Sequence, residues 1–301
     1  MAVRIPAKVI ASLRLVRLAL ALSPIADVLA GAALASPRTL PPMAALASTA
    51  GISLLLYLGG MTLNAIVDIE IDRVEAPSRP LPSGALSVAT AWVLLALFWS
   101  LAIAAAAVLS TRTLIHVGAM LVLIIAYHGP CKSRNVAGPI LLGSVRALNM
   151  LLGVLVAAGW PSWRVLPPVL LYGACVFGVS LVARMEDADF CLARFRAGLA
   201  VALGSLLVLA SCHGPSARPL FLVLALPAAA TFSLVAWLRA APIARDQGPR
   251  PAVRRLVILL LTGFYLFDAL TALGTGRLLL ALVITAMLGA SRLLARQFPP
   301  S

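Results

Sequence analysis

Ten stretches of apolar residues, at about 13–36, 44–68, 86–110, 112–128, 136–158, 166–187, 195–211, 219–238, 253–272 and 278–296, each approach the ~20 residues needed to cross a bilayer's hydrocarbon core. One of them can be a half-span, so nine or ten crossings are expected. Inside lipid every backbone N–H and C=O has to find a partner within the chain, and an unbroken apolar run does so as an α-helix. The expected fold is therefore all-α, a polytopic transmembrane helical bundle of nine or ten spans, with residues 1–301 forming a single integral membrane domain. A chain that is 62% apolar and 11% charged, with a mean hydropathy of +1.04, is not a soluble globule. The spans leave only about 100 residues for loops and ends, too few for a sizeable extramembrane domain.

A net charge of +14 would point to nucleic acid in a water-soluble chain, but the longest basic run is Arg254-Arg255 and no aromatic stacking pattern accompanies it. No nucleic-acid partner is expected; the charge reads as topology. With the N-terminus cytoplasmic, 18 of the 24 Lys and Arg residues fall on the cytoplasmic side. Arg38, Arg112, Arg164, Arg218 and Arg277 fall one per outer loop, and Arg146 lies inside a span. The expected location is the plasma (inner) membrane. Arg4, Lys8, Arg14 and Arg17 ahead of an apolar stretch imitate a secretory signal, but Pro24 and Asp27 interrupt it, so this stretch is read as a span. Cys131, Cys175, Cys191 and Cys212 show neither a CxxC pair nor zinc spacing and are read as small core residues.

Positive-inside topology does not explain acidic clusters on the same side, yet seven of the ten acidic residues are packed into 68–75 and 186–189. The first segment runs from Asn64 at the end of the second span through Asp68, Glu70 and Asp72 to Glu75. Spacing of four stacks Asn64, Asp68 and Asp72 on one helix face, while Glu70 points elsewhere into solvent. Stacked carboxylates repel unless a cation sits between them. Mg²⁺ suits, because it takes one or two carboxylates and completes its octahedron with water and substrate phosphates. Arg79-Pro80-Leu81-Pro82-Ser83-Gly84 follows, a string that cannot continue a helix and can hold the Arg79 guanidinium over the site for bidentate contact with phosphate. The second segment, Arg184-Met185-Glu186-Asp187-Ala188-Asp189, closes the sixth span, with Glu186 and Asp189 on one face.

Asn64-x3-Asp68-x3-Asp72 with the downstream Arg79-Pro-Leu-Pro-Ser-Gly resembles the first signature of the UbiA superfamily of intramembrane prenyltransferases, whose usual form is NDxxDxxxD followed by RPLxxG. Tyr127, Pro130 and Lys132 after the fourth span are similar to the family's Tyr-Pro-x-x-Lys connection, and 186–189 occupies the place of its second aspartate motif. The resemblance covers about two-thirds of the chain. It implies a UbiA-like bundle with a lipid-open cavity and Mg²⁺ held by both acidic segments. The activity implied is transfer of an isoprenoid from a prenyl diphosphate to a lipophilic acceptor drawn from the membrane lipid. By the same resemblance Asp68, Asp72, Glu186 and Asp189 would be the catalytic and metal-binding carboxylates, with Asn64, Arg79 and Lys132 on the diphosphate. Two departures stand out. Ala65 replaces a usual Asp but points off the Asn64 face, and the second segment has no acidic pair four apart, since Val182 precedes Glu186 by one turn.

Arg146 and Asn149, three apart inside the fifth span, are the remaining candidates for diphosphate contact. An Arg at that depth costs several kcal/mol to insert and needs a partner, so a structural pair with a carboxylate is the competing reading. This Arg-x2-Asn pattern is not general to the superfamily and resembles the divergent UbiA-like branch called EboC. Asp27 and Asp268 are the other intramembrane charges, read either as acceptor-side groups or as core residues bonded to a neighbouring helix. Arg17 and Arg184 lie where they can snorkel to the interface. The main alternative to catalysis is a non-catalytic prenyl-diphosphate or lipid binder or transporter of the same fold. A phosphatidyl-alcohol transferase is disfavoured, because neither acidic segment carries the expected Asp-Gly and downstream Ala-Arg.

Overall fold

The computed structural model describes residues 6–36, 39–129, 136–186, 190–211, 219–246 and 250–298. Among these residues the chain forms twelve α-helices and no strand. In order they are α1 (Ala7–Leu15), α2 (Leu22–Ala35), α3 (Met43–Val67), α4 (Ile69–Glu75), α5 (Val88–Leu109), α6 (Thr111–His128), α7 (Ala137–Ala158), α8 (Leu166–Ala183), α9 (Leu192–Ser211), α10 (Pro219–Arg245), α11 (Arg250–Gly274) and α12 (Leu278–Gln297). Ten helical stretches among the described residues are long and apolar enough to cross a membrane, so the protein is an integral membrane protein. They coincide with the ten apolar runs of the sequence. The first differs in its start: helix is interrupted between Leu15 and Leu22 by a 3₁₀ turn, Leu18–Leu20, and α1 stands apart from the span. Pro24 sits in the first turn of α2, where no intrahelical N–H is required of it.

The centre of the bundle is built by helices α2, α7, α8, α9 and α11, and α5 and α12 are largely exposed where lipid would cover them. Lipid tails are as apolar as leucine, so helix contact in a membrane depends on close packing rather than on hydrophobic burial. This chain achieves it with paired glycines. A Cβ placed on Gly31 would lie 1.9 Å from the Met150 carbonyl oxygen of α7, and one on Gly153 would lie 2.0 Å from the Val28 carbonyl oxygen of α2. Gly143 and Gly173 meet in the same way between α7 and α8, as do Gly178 and Gly198 between α8 and α9. Backbones therefore touch along α2, α7, α8 and α9, and side chains from α2, α7 and α8 reach a common polar centre.

Candidate active site

The acidic stripe of the second span is preserved, with one break in the helix that carries it. Asp68 is at once the C-cap of α3 and the residue before α4, with φ −86° and ψ 2°. Its N–H donates to the Asn64 carbonyl at 3.0 Å, and the Asp72 N–H donates to the Asp68 carbonyl at 2.8 Å, so hydrogen bonding continues through the joint. Asn64 Nδ2 donates to Asp68 Oδ2 at 3.0 Å, which turns the amide oxygen of Asn64 away from the carboxylate. Asp72 is buried and forms an ion pair with Arg79. Glu70 is directed outward and pairs with Arg73 at 2.7 Å, both side chains being exposed.

Arg79 is aimed by the segment after α4. Turn hydrogen bonds from Ser83 N to Arg79 O at 3.0 Å and from Leu86 N to Pro80 O at 3.0 Å fold it back on itself. Gly84 takes φ +74°, which a residue with a Cβ adopts only under strain. Leu81 and Leu86 are buried against Ala11, Leu15 and Ala91, fixing the segment under α1. The buried Nε–H of Arg79 has no acceptor among the described residues. A guanidinium with one donor on Asp72 and another unfilled is suited to an anionic oxygen at the same place.

A small pocket opens between these elements, lined by Arg17, Met61, Asn64, Asp72, Arg79 and Leu15 among others. Its distinguishing member is Arg17, the residue in the interruption between α1 and α2. Among the described residues it is the one non-glycine with positive φ, at φ 46° and ψ 54°. The left-handed conformation costs an L-residue about 1–3 kcal/mol and persists only where the surroundings impose it. Here the Tyr57 hydroxyl of α3 donates to the Arg17 carbonyl at 3.1 Å. Glu186 follows α8, with Arg254 3.6 Å away. Lys132 and Asp189, also assigned to the site from sequence, lie outside the described residues, as do Pro130 and Asp187.

The donor set fits Mg²⁺ in part. Among the described residues no three His, Cys, Asp or Glu side chains converge on one point. Asn64, Asp68 and Asp72 offer two carboxylates and an amide, and this hard oxygen set suits an ion that keeps its remaining positions for water and phosphate.

Arg146 and Asn149 are not brought to the acidic segment. They meet a carboxylate in the middle of the bundle, about 16 Å below Asn64 if the eleven residues from Ser53 to Asn64 rise 1.5 Å each. Arg146 Nη2 donates to Asp27 Oδ1 at 2.9 Å, to Ser23 Oγ at 2.5 Å and to the Tyr172 hydroxyl oxygen at 2.6 Å. Tyr172 donates to Asp27 Oδ1 at 2.6 Å, and Asn149 Nδ2 donates to Asp27 Oδ2 and to the Pro24 carbonyl, each at 2.8 Å. Ser53 of α3 donates to Asn149 Oδ1 at 2.7 Å. The Arg146 guanidinium also lies over the rings of Tyr172 and Phe264, at 5.6 and 5.5 Å. Asp268 of α11 is fully buried. The carboxylate-pairing reading of Arg146 is thus the one its contacts match.

A model of the UbiA prenyltransferase family matches residues 25–249. The chain belongs to that family. A relative from Ignicoccus hospitalis named digeranylgeranylglyceryl phosphate synthase is 28% identical over 185 residues, which span 60% of each of the two chains. A UbiA homologue from Archaeoglobus fulgidus, solved with GPP and Mg²⁺, superposes with a TM-score of 0.68 at 16% identity, over 93% of this chain and 99% of that one. An apo UbiA homologue from Aeropyrum pernix K1 superposes with a TM-score of 0.64 at 22% identity, over 90% and 98%. The polytopic fold of this UbiA chain is therefore that of solved UbiA homologues.

Within that UbiA fold, sequence reading missed Arg17, which looked like an ordinary snorkelling residue. A signal was present on the second span, where Ser53, Tyr57, Asn64 and Asp68 fall at spacings of four, seven and four on one helix face. That polar stripe inside an apolar run marks the interior side, and Arg17 is the residue it touches halfway down.

Proposed function

We propose that this UbiA-family chain is a Mg²⁺-dependent intramembrane prenyltransferase, moving an isoprenoid from its diphosphate to a lipophilic acceptor dissolved in the bilayer. The observation that carries this reading is the convergence of Asn64, Asp72, Arg17 and Arg79 on one pocket, with Asp68 hydrogen-bonded to Asn64, at one end of the bundle. Carboxylates that bind a metal and guanidiniums that bind phosphate are both needed to hold a metal diphosphate, and an apolar interior suits the prenyl chain. Glu186 and Asp189 would contribute to a second metal position, and Lys132 to the diphosphate. In this reading the pocket faces the cytoplasm in the plasma (inner) membrane, as the distribution of Lys and Arg favours.

When bound, Mg²⁺ would offset the charge that develops on the departing diphosphate. The chain's own residues do the rest. Arg79 exchanges its Asp72 contact for phosphate oxygens and turns its unfilled Nε–H to the same group. Arg17, which lines the same pocket, meets the diphosphate as well, so that two positive charges face the leaving group as the allylic C–O bond breaks. Asn64 holds Asp68 in orientation through its amide. The apolar helix faces keep water from the allylic cation until the acceptor reaches it. Arg146 and Asn149 belong to the scaffold beneath the pocket rather than to its diphosphate contacts.

Purified protein in lipid vesicles, supplied with radiolabelled prenyl diphosphates of several lengths and a total lipid extract, tests the reading. A glyceryl-ether phosphate is included as acceptor because of the name of the Ignicoccus relative. A lipid-soluble product that requires Mg²⁺ and disappears in Asp68→Ala is expected. Intact Mg²⁺-dependent diphosphate binding with no product on any acceptor would replace the transferase by a binder of the same fold.

A further inference from the structure

The interruption of the first span and the buried polar cluster are one device. From residue 17 to residue 27, side chains of four other helices hydrogen-bond to the chain. Tyr57 of α3 grips the Arg17 carbonyl at 3.1 Å, and Ser291 of α12 donates to the Ala19 carbonyl. The Pro24 carbonyl, in the first turn of α2, receives Ser53 Oγ at 3.0 Å and Asn149 Nδ2 at 2.8 Å. Ser23 takes a hydrogen bond from Arg146, and Asp27 takes one each from Arg146, Asn149 and Tyr172. Eight tertiary hydrogen bonds on eleven residues are far more than a span needs to stay in a membrane. They fall on the stretch that contains the left-handed Arg17 and end just where α2 becomes regular.

The geometry points to Tyr57, Asn149 and Arg146 as positioning residues for substrate binding, which act through Arg17 by locking the broken first span so that its guanidinium faces the pocket. The inference rests on the assignment of that pocket to a diphosphate. An arginine held in place by its own relaxed backbone would swing with the interfacial helix α1, which meets the bundle mainly through the connector and the end of α3. Locking residues 17–27 to the bundle fixes the distance between Arg17 and the Asp72–Arg79 pair. A hydrogen bond to the carbonyl of the left-handed residue itself is the most direct control over that orientation. Arg146 and Asn149 lie too deep to touch a diphosphate bound beside Asn64, and they reach it through the backbone they hold.

Binding of inorganic pyrophosphate in the presence of Mg²⁺ to the full-length protein in micelles separates this from a purely structural role. Arg17→Gln is expected to weaken binding about fiftyfold, as loss of a charged contact. Tyr57→Phe removes only the hydroxyl and is expected to weaken binding about fivefold, the effect of one hydrogen bond, with an unchanged unfolding temperature. The decisive quantity is the double-mutant cycle: in the Arg17→Gln background, Tyr57→Phe and Asn149→Ala should each change affinity by less than about twofold. Arg17→Lys should restore part of the dependence on Tyr57. The inference is overturned if Tyr57→Phe leaves pyrophosphate affinity unchanged in the otherwise native protein, or if its effect persists in full without Arg17. Failure of the underlying pocket assignment is a different result: pyrophosphate binding that is indifferent to Asp72→Ala. If Asn149→Ala does not fold, Tyr57→Phe alone decides.

Discussion

The molecule has two polar regions, and they are organised on opposite principles. At the end of α3 and in α4, like charges are crowded together, and their partners are neighbours in sequence: Asn64 with Asp68, Glu70 with Arg73, Asp72 with Arg79. In the middle of the bundle, opposite charges meet, and the partners come from remote parts of the chain, Asp27 with Arg146, Asn149 and Tyr172. The first region leaves a donor over, in the buried Arg79 Nε–H, which has no acceptor among the described residues. The second uses both oxygens of Asp27 and holds three helices, α2, α7 and α8, with them. Surplus charge at a mouth invites a ligand; charge consumed in an interior fixes a shape. Substitutions in the two regions should therefore fail in different measurements.

The largest effect is expected at the centre. Arg146→Leu leaves the Asp27 carboxylate fully buried without its guanidinium, and breaking a buried pair by removing one partner typically destabilises by about 3–5 kcal/mol. Thermal unfolding in micelles should show a large downward shift. A stable Arg146→Leu protein would mean that Asp27 is held well enough by Tyr172 and Asn149, and the contrast between the regions would lose its energetic basis. Asp72→Ala should behave in the reverse way. Mg²⁺-dependent pyrophosphate binding should weaken at least ~100-fold, about 2.7 kcal/mol, while the unfolding temperature falls less than in Arg146→Leu, because the Arg79 side chain left without its partner is partly exposed to solvent. A fall in stability as large as that of Arg146→Leu would show the acidic segment to be scaffold.

The same contrast explains what the sequence could reveal. The ten spans were legible because each is a long local run, and the acidic stripe because helical spacing alone puts Asn64, Asp68 and Asp72 together. A partner for Arg146 was expected in general terms, since lipid forbids a lone guanidinium, but Asp27 lies 119 residues away and nothing local joins the two. Arg17 was harder still. Its importance lies in a backbone conformation, φ 46°, imposed from outside by Tyr57, forty residues on. Composition and periodicity describe what a segment prefers, and Arg17 is where packing overrides preference.

Between the extremes lies the helix contact that aligns the two regions. Gly153→Ala would set a methyl 2.0 Å from the Val28 carbonyl oxygen, against backbone that cannot rotate aside. The crossing of α2 and α7 has to widen, at a cost of about 1–3 kcal/mol typical of overpacking. Asn149 and Arg146 then draw back from Pro24 and Asp27, so Gly153→Ala should lower both the unfolding temperature and, modestly, pyrophosphate affinity. Gly51→Ala, at a site where an added Cβ meets nothing within 4 Å, is the matched control and should change neither. Equal effects of the two substitutions would indicate that the close crossing does not govern the result.

The smallest effect sharpens the comparison from within the acidic segment. Glu70 stands between Asp68 and Asp72 in sequence, carries the same charge and would be counted with them by any compositional measure. Its side chain is 73% exposed and its partner Arg73 is 57% exposed, one turn along the same short helix. Ion pairs of this kind contribute little, because water screens both charges and two long side chains must be ordered to form them. Glu70→Gln should shift stability by less than about 0.5 kcal/mol and leave pyrophosphate affinity within about twofold. What separates Glu70 from its neighbours is direction: a residue two positions from Asp72 on a helix points about 200° round the axis, away from the pocket. If Glu70→Gln weakened binding as much as Asp72→Ala, net negative charge rather than a specific helix face would be attracting the metal diphosphate, and the pocket built by Asn64, Asp72, Arg17 and Arg79 would be the wrong place to look for it.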